Sequence, residues 1–292
     1  MVKPSLEAIS ESENGSFLVR TFEESEFHAP FHFHPEFELT AILKGEGNRF
    51  VGNDMSVFNS GDLVLIGSNV PHCWKNTILT EEINARSVVI QFQRDFLGSD
   101  FFRKLETARV SRLLNQSFFG IHFYGETAEL VTLKMNELSA ETDPLKRLIN
   151  LLDIFSQLSN TKFFKLLNDE TIIYEPGTHE HHRLNEVQAF IIENFRNKIG
   201  LNQIAEIARM TPNAFCKYYK KMTGKTFSEV IAGYRVNYAR QQLINTDKPV
   251  SQICFECGYA DIAFFHKVFK HTTRFSPLTY RKEYINRLKF QS

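Results

Sequence analysis

The side chains best equipped for chemistry fall in two places. In the first, His32-x-His34-x-x-x-Glu38 is followed by Gly45, and Gly61-Asp62 leads to Pro71-His72-x-x-x-Asn76. Positions 32, 34, 36 and 38 of a strand share one face, because strand side chains alternate. Two imidazoles and a carboxylate then converge, and His72 supplies a fourth ligand. Three histidines and one carboxylate suit Fe(II), Mn(II), Ni(II) or Zn(II) by ligand type. The same side chains, with Glu36, equally line a polar pocket for a small organic molecule without metal. A third arrangement puts Phe31, Phe33, Phe37 and Leu39 in the core and leaves the polar set in water. Trp74, Phe50, Phe58 and Arg49 lie near enough in sequence to add an aromatic wall and an anion partner.

The second place is a repeat. Ile204-Ala205-x-x-Ala208 returns 49 residues later as Ile253-Cys254-x-x-Cys257. Phe215-x-Lys217-x-Tyr219-Lys220 returns 50 residues later as Phe265-x-Lys267-x-Phe269-Lys270. Small residues at 205, 208, 254 and 257 let two helices meet closely at a tight turn. Thr211-Pro212 and Asp261 are helix-start signals. Phe215, Tyr219, Phe265 and Phe269 then anchor a second helix whose other face carries Lys217 or Lys267. That is the physics of a helix-turn-helix offering a helix to the DNA major groove. Two such units, joined by a helix over about Ser228–Asn245, reach successive grooves. Cys254 and Cys257 have no second ligand pair, which makes them structural rather than metal-binding or redox cysteines.

The elements that position these residues follow from pattern. Residues 17–92 alternate short Phe-, Val- and Ile-rich runs with Gly, Asn and Asp turns, as a small antiparallel barrel does. Residues 93–168 turn helical. After Asp143-Pro144, Leu145, Leu148, Ile149, Leu152, Phe155 and Leu158 form an apolar stripe that either packs on the barrel or makes a dimer seam. Residues 169–182 read as a polar linker, its His179, His181 and His182 solvated. Residues 183–292 are helical throughout.

Composition limits the partners. The 292 residues balance 34 Lys and Arg against 34 Asp and Glu, which alone argues against nucleic acid. The balance conceals two halves. Residues 183–292 carry 10 Lys and 8 Arg against 8 acidic residues, and residues 1–182 carry 16 basic against 26 acidic. The basic half has the footprint of a DNA binder. Apolar runs fall short of the ~20 residues of a membrane span, and four cysteines make no disulfide framework. A cytoplasmic, nucleoid-associated bacterial protein is expected.

Residues 183–289 resemble the DNA-binding domain of the AraC/XylS transcription regulators. The resemblance rests on Ile204-Ala205, on Phe215 through Lys225, and on Phe227, Arg235, Ala239 and Leu243. It continues through Ile253, Cys257-Gly258-Tyr259, Phe264 through Lys270, Ser276-Pro277 and Tyr280-Arg281. It implies base contacts from Asn213, Ala214, Cys216 and Lys217 in one helix and Ile262, Ala263, His266 and Lys267 in the other. It implies phosphate contacts from Lys220, Lys221, Ser228, Arg235, Ser276 and Arg281. Arg274 stands where the family has Gly, and is expected to alter that turn or add a phosphate contact. The N-terminal motifs resemble the cupin barrel, although Gly67 and Asn69 replace a favoured Pro and Gly. The fold expected is mixed: an all-β cupin-like barrel with adjoining helices over 1–168, then an all-α domain of two helix-turn-helix units over 183–292. The function expected is ligand-responsive, sequence-specific regulation, by activation, of a promoter in double-stranded DNA. RNA polymerase, a small-molecule effector bound by His32, His34, Glu36, Glu38, His72 and Trp74, and a second copy of the chain are the partners implied. The rival is a metal-dependent cupin dioxygenase or isomerase fused to a DNA-binding domain.

Overall fold

A computed structural model describes residues 16–27, 29, 31–76, 84–171 and 179–289. The chain forms two compact units, one ending at Thr178 and the other taking up the chain at His179. Helix α4 (below) therefore starts inside the segment expected as linker, whose residues 172–178 lie outside the described ones.

The first unit is antiparallel sheet. Its strands are β1 (Phe17–Glu24), β2 (Phe37–Lys44), β3 (Gly47–Val51), β4 (Asp54–Phe58), β5 (Leu63–Ile66), β6 (His72–Asn76), β7 (Ala85–Phe92), β8 (Ile121–Phe123) and β9 (Phe164–Leu166). A six-stranded sheet runs β1-β7-β2-β5-β8-β9 and a three-stranded one β4-β3-β6. Register sets the faces: Glu38 lies opposite Gln91 and Ile66, and Thr40 opposite Val89 and Val64. Glu38, Thr40 and Ile42 therefore share one face of β2 while Leu39 and Ala41 share the other. Val64 and Ile66 pack with Ile42, Val51, Phe58 and Trp74. Leu39, Ala41, Leu63 and Leu65 pack instead into a core with the helices α1 (Ala108–Gln116), α2 (Gly125–Ala140) and α3 (Pro144–Asn160). Burial on both faces is why 63–66 reads as an unbroken apolar run.

Helix α3 starts as its sequence demands: Asp143 accepts from the Lys146 amide, and Pro144 takes the first position. Its apolar stripe divides. Phe155 and Leu158 are buried, whereas Leu145 and Ile149 are 66% and 55% exposed, as is Leu133 of α2 at 63%. Steps of three residues drift around a helix that needs 3.6 per turn, so one stripe serves two surfaces.

The second unit comprises α4 (His179–Asn194), α5 (Leu201–Ile207), α6 (Pro212–Thr223), α7 (Phe227–Asn245), α8 (Val250–Glu256), α9 (Ile262–Thr273) and α10 (Pro277–Lys289). The repeat is structural to the level of single bonds. Ala205 and Ala208, like Cys254 and Cys257, are buried. Left-handed residues turn each corner, Arg209 at φ 53° and Gly258 at φ 85°. Thr211 and Asp261 cap α6 and α9. Thr223 bonds the carbonyls of Tyr219 and Lys225, as Thr273 bonds those of Phe269 and Phe275. Arg274 does not alter its turn: it holds φ 68° where the first copy has Gly224 at φ 70°. Left-handed backbone costs a non-glycine residue about 1 kcal/mol, which the repeated packing overrides. Among the described residues no helix is long and apolar enough to cross a membrane.

Candidate functional site

His32 and His72 are brought together by a backbone bridge, each amide donating to the other's carbonyl at 3.1 and 2.8 Å. Their rings lie 4.4 Å apart, and His34 lies 5.1 Å from His72. Glu38 receives His34 Nε2 at 3.0 Å, Gln91 Nε2 at 2.9 Å and Thr40 Oγ1 at 2.6 Å, with His72 Nε2 at 3.5 Å. All four of His32, His34, Glu38 and His72 are buried, and one ligand atom from each falls within 4.8 Å of the others. The polar set therefore does not face water.

Electrostatics knit this cluster. Burial alone would push His34 down, yet Glu36 and Glu38 hold its pKa up at about 10. Burial would likewise raise Glu38, but His72 and His34 keep it well below the usual carboxylate range. Burial dominates at His72 and lowers it. His72 Nδ1 lies 2.8 Å from the Val70 carbonyl, and its buried Nε2 faces Glu38 Oε1 at 3.5 Å. A ring oriented by one nitrogen, with the other turned into a cluster of donor atoms, is the posture of a metal-ligating histidine. The donor set and its spacing fit a divalent metal.

Glu36 does not join the set. Pro35 interrupts the strand alternation, and Glu36 sits beside His34 Nδ1 while bonding Gln93. A cavity of about 170 Å³ opens beside the cluster, walled by Phe22, Phe27, Ile42 and Trp74, with His32, Glu38, Thr40 and Ser87. Arg49, Phe50 and Phe58 are not in that wall. Arg49 is fully buried against Asp62, which also meets His122 Nε2 at 3.1 Å. It is no anion partner for a ligand in the cavity.

In the second unit α6 buries Phe215, Tyr218 and Tyr219 and exposes Asn213, Ala214, Cys216, Lys217, Lys220 and Lys221. Helix α9 buries Phe265 and Phe269, exposes Ile262, Ala263 and Lys267, and half-buries His266. Ser228 is exposed near the start of α7. Two arginines expected at phosphates are engaged inside the fold. Arg235 Nε donates to the Phe195 carbonyl at 2.7 Å and its Nη2 to that of Asn197 at 2.8 Å. Arg281 donates to the carbonyls of Leu243, Thr246 and Lys248 at 2.9, 3.2 and 2.7 Å. Each ties the end of a long helix, α4 or α7, to the unit that follows, because terminal helix carbonyls lack partners of their own. The Ser276 hydroxyl accepts from the Thr279 amide at 3.2 Å and so caps α10. Phe264, 57% exposed on α9, was missing from the expected set. The fifty-residue repeat aligns it with Ala214, which was the signal available.

A helix-turn-helix domain model matches residues 204–283 and a cupin domain model residues 18–83. The chain is 21% identical over 267 residues to an uncharacterized HTH-type transcriptional regulator, YdeC, of Bacillus subtilis, covering 87% of each chain. It is 21% identical over 274 residues to the melibiose operon regulatory protein of Escherichia coli, covering 89% of this chain and 87% of that one. An uncharacterized HTH-type transcriptional regulator of Staphylococcus aureus is 22% identical over 91% of this chain, which spans only 34% of that protein. Among solved structures, the DNA-binding domain of AdpA in complex with a target DNA aligns with 36% of this chain and 95% of its own, at 25% identity and a TM-score of 0.35. ToxT of Vibrio cholerae aligns with 91% of this chain and 98% of its own, at 15% identity and a TM-score of 0.35.

Proposed function

The chain is an AraC/XylS-type transcriptional regulator with a cupin domain ahead of its helix-turn-helix domain, and from that premise we propose that a small molecule held in the barrel controls its grip on promoter DNA. The observation that carries the DNA half is the repeat: α6 and α9 each bury an aromatic face and turn a lysine-bearing face to solvent. Lys217 and Lys267 donate to base edges, Asn213 pairs with adenine, and Lys220 and Lys221 hold phosphates. An effector that binds one arrangement of the chain more tightly shifts the population competent for DNA. Activation through RNA polymerase, in the cytoplasm at the nucleoid, is the role such a regulator fills. It is proposed as a regulator and not as an enzyme.

The effector is expected to be uncharged or cationic. The described wall of the cavity holds Glu24, Glu26 and Glu38 but neither Lys nor Arg, so without a bound metal an organic anion would find no lysine or arginine to pair with. Trp74 in that wall is the only tryptophan of the sequence, and its emission therefore reports occupancy. A compound that changes DNA affinity is expected to shift Trp74 fluorescence; one that changes affinity and leaves the emission untouched would contradict the placement.

The histidine cluster supports a second occupant. His32, His34, Glu38 and His72 would hold an Fe(II), Mn(II), Ni(II) or Zn(II) ion, whose Lewis acidity would polarise a ligand oxygen. His72 and Trp74 rings lie 6.0 Å apart, so added Mn(II) or Ni(II) would quench Trp74 reversibly by chelator. Unquenched emission at saturating metal would remove the metal and, with it, the enzyme reading.

The exposed Leu130 and Leu133 of α2 and Leu145 and Ile149 of α3 suit a second copy of the chain, since exposed apolar side chains on packed helices mark interaction sites. Leu133→Arg is expected to yield monomers by sedimentation, where the unmodified chain gives dimers. An unmodified chain that sediments as a monomer would remove the seam.

A further inference from the structure

The two reading helices differ in chemistry. Entering from its N-terminal end, α6 presents Asn213, Cys216 and Lys217. The first turn of α9 presents Ile262 at 40% exposure, then Ala263, then Phe264 at 57%. Lys267 and Lys270 follow on the same helix. The buried face of α9 is supplied by Phe265 and Phe269 at 0% exposure. Phe264 makes an edge contact with Tyr259 at 6.1 Å between ring centres while its side chain stays largely exposed.

An apolar turn beside lysines suits one kind of DNA feature. On the base edges of the major groove the C5-methyl of thymine is the apolar group, and apolar side chains read it. The lysines continue the same surface toward phosphates and guanine edges. We propose that α9 reads thymine methyl groups through Ile262, Ala263 and Phe264, while α6 reads polar base edges. The operator is then asymmetric in chemistry, with a thymine-bearing block under α9 roughly one turn of duplex (~10 bp) from a block under α6. This rests on the DNA-binding reading above.

The test uses the full chain and a random duplex library. Bound duplexes are recovered, and each thymine of the preferred sequence is replaced singly by deoxyuridine, which lacks only the methyl. Affinity is expected to fall about fourfold for each buried methyl lost within one block and to hold in the other. Phe264→Ala is expected to abolish the thymine-over-uracil preference there while retaining the base preferences of the second block, which shows that the variant is folded. Ile262→Ser should act in the same block. Affinity indifferent to deoxyuridine at every thymine, or a preference that survives Phe264→Ala, overturns the proposal and returns the patch to a protein partner. A library that yields no preferred sequence overturns both this proposal and the DNA-binding reading.

Discussion

Arg281→Ala is expected to destabilise the second unit by about 3 kcal/mol, measured as a shift of the urea midpoint at constant slope. The guanidinium donates to three carbonyls at the end of α7. Hydrogen bonds from a charged donor contribute about 1.5–3 kcal/mol each, and their loss strands acceptors that water must reach. Arg235→Ala removes the equivalent tie on α4 and also the cation seated 5.3 Å over the Tyr259 ring. In both variants DNA affinity should fall in proportion to the unfolded fraction. A phosphate contact would behave otherwise: stability would hold and the salt dependence of binding would flatten. The two signatures separate on one pair of experiments.

Arg49→Ala is expected to cost the barrel about 3–5 kcal/mol, the typical effect of leaving a buried charge without its partner. Arg49 has no exposure, and Asp62 would remain interred with His122 Nε2 at 3.1 Å. The pH response follows from the same pair. Burial would raise the Asp62 carboxyl, but Arg49 and His122 hold it below its ordinary value of 3.8. Its contribution is thus complete above the unfolded value and is lost as the pH falls through the lower folded one. In Asp62→Asn that acid-side loss should vanish, leaving a less stable barrel with a flatter profile in acid, read by thermal melts at pH 2.5 to 5. An unchanged acid profile would show that Asp62 is not the titrating group.

What the sequence revealed and what it withheld divide along physical lines. The repeat was legible because packing at a helix corner demands small residues and aromatics at fixed spacing, and both copies obey. The barrel was legible from its turns, and the convergence of His32, His34, Glu38 and His72 from their types. Its route was not: the histidines meet through a bridge between His32 and His72, and Pro35 breaks the alternation that would have included Glu36. The short strands β8 and β9 left no trace, since three residues do not establish a period. Arg235 and Arg281, expected at phosphates, each bond backbone carbonyls near a helix end. On a DNA-binding surface an Arg suggests phosphate, but a helix end also offers bare carbonyls, and only three-dimensional placement tells which oxygen is nearer. On Arg274 repeated packing imposed a glycine-like backbone.

The reading of DNA by both α6 and α9 is the central proposal. Its most direct test compares the unmodified chain with the double variant Lys217→Ala, Lys267→Ala on the selected duplex and on a scrambled one, at several salt concentrations. Each lysine is expected to supply about 1–3 kcal/mol at its base pair. The double variant should therefore bind the selected duplex about thirtyfold to about twenty-thousandfold more weakly and the scrambled duplex almost unchanged, with its thermal stability intact. Equal losses on both duplexes, or an unmodified chain that does not distinguish them, would contradict the account.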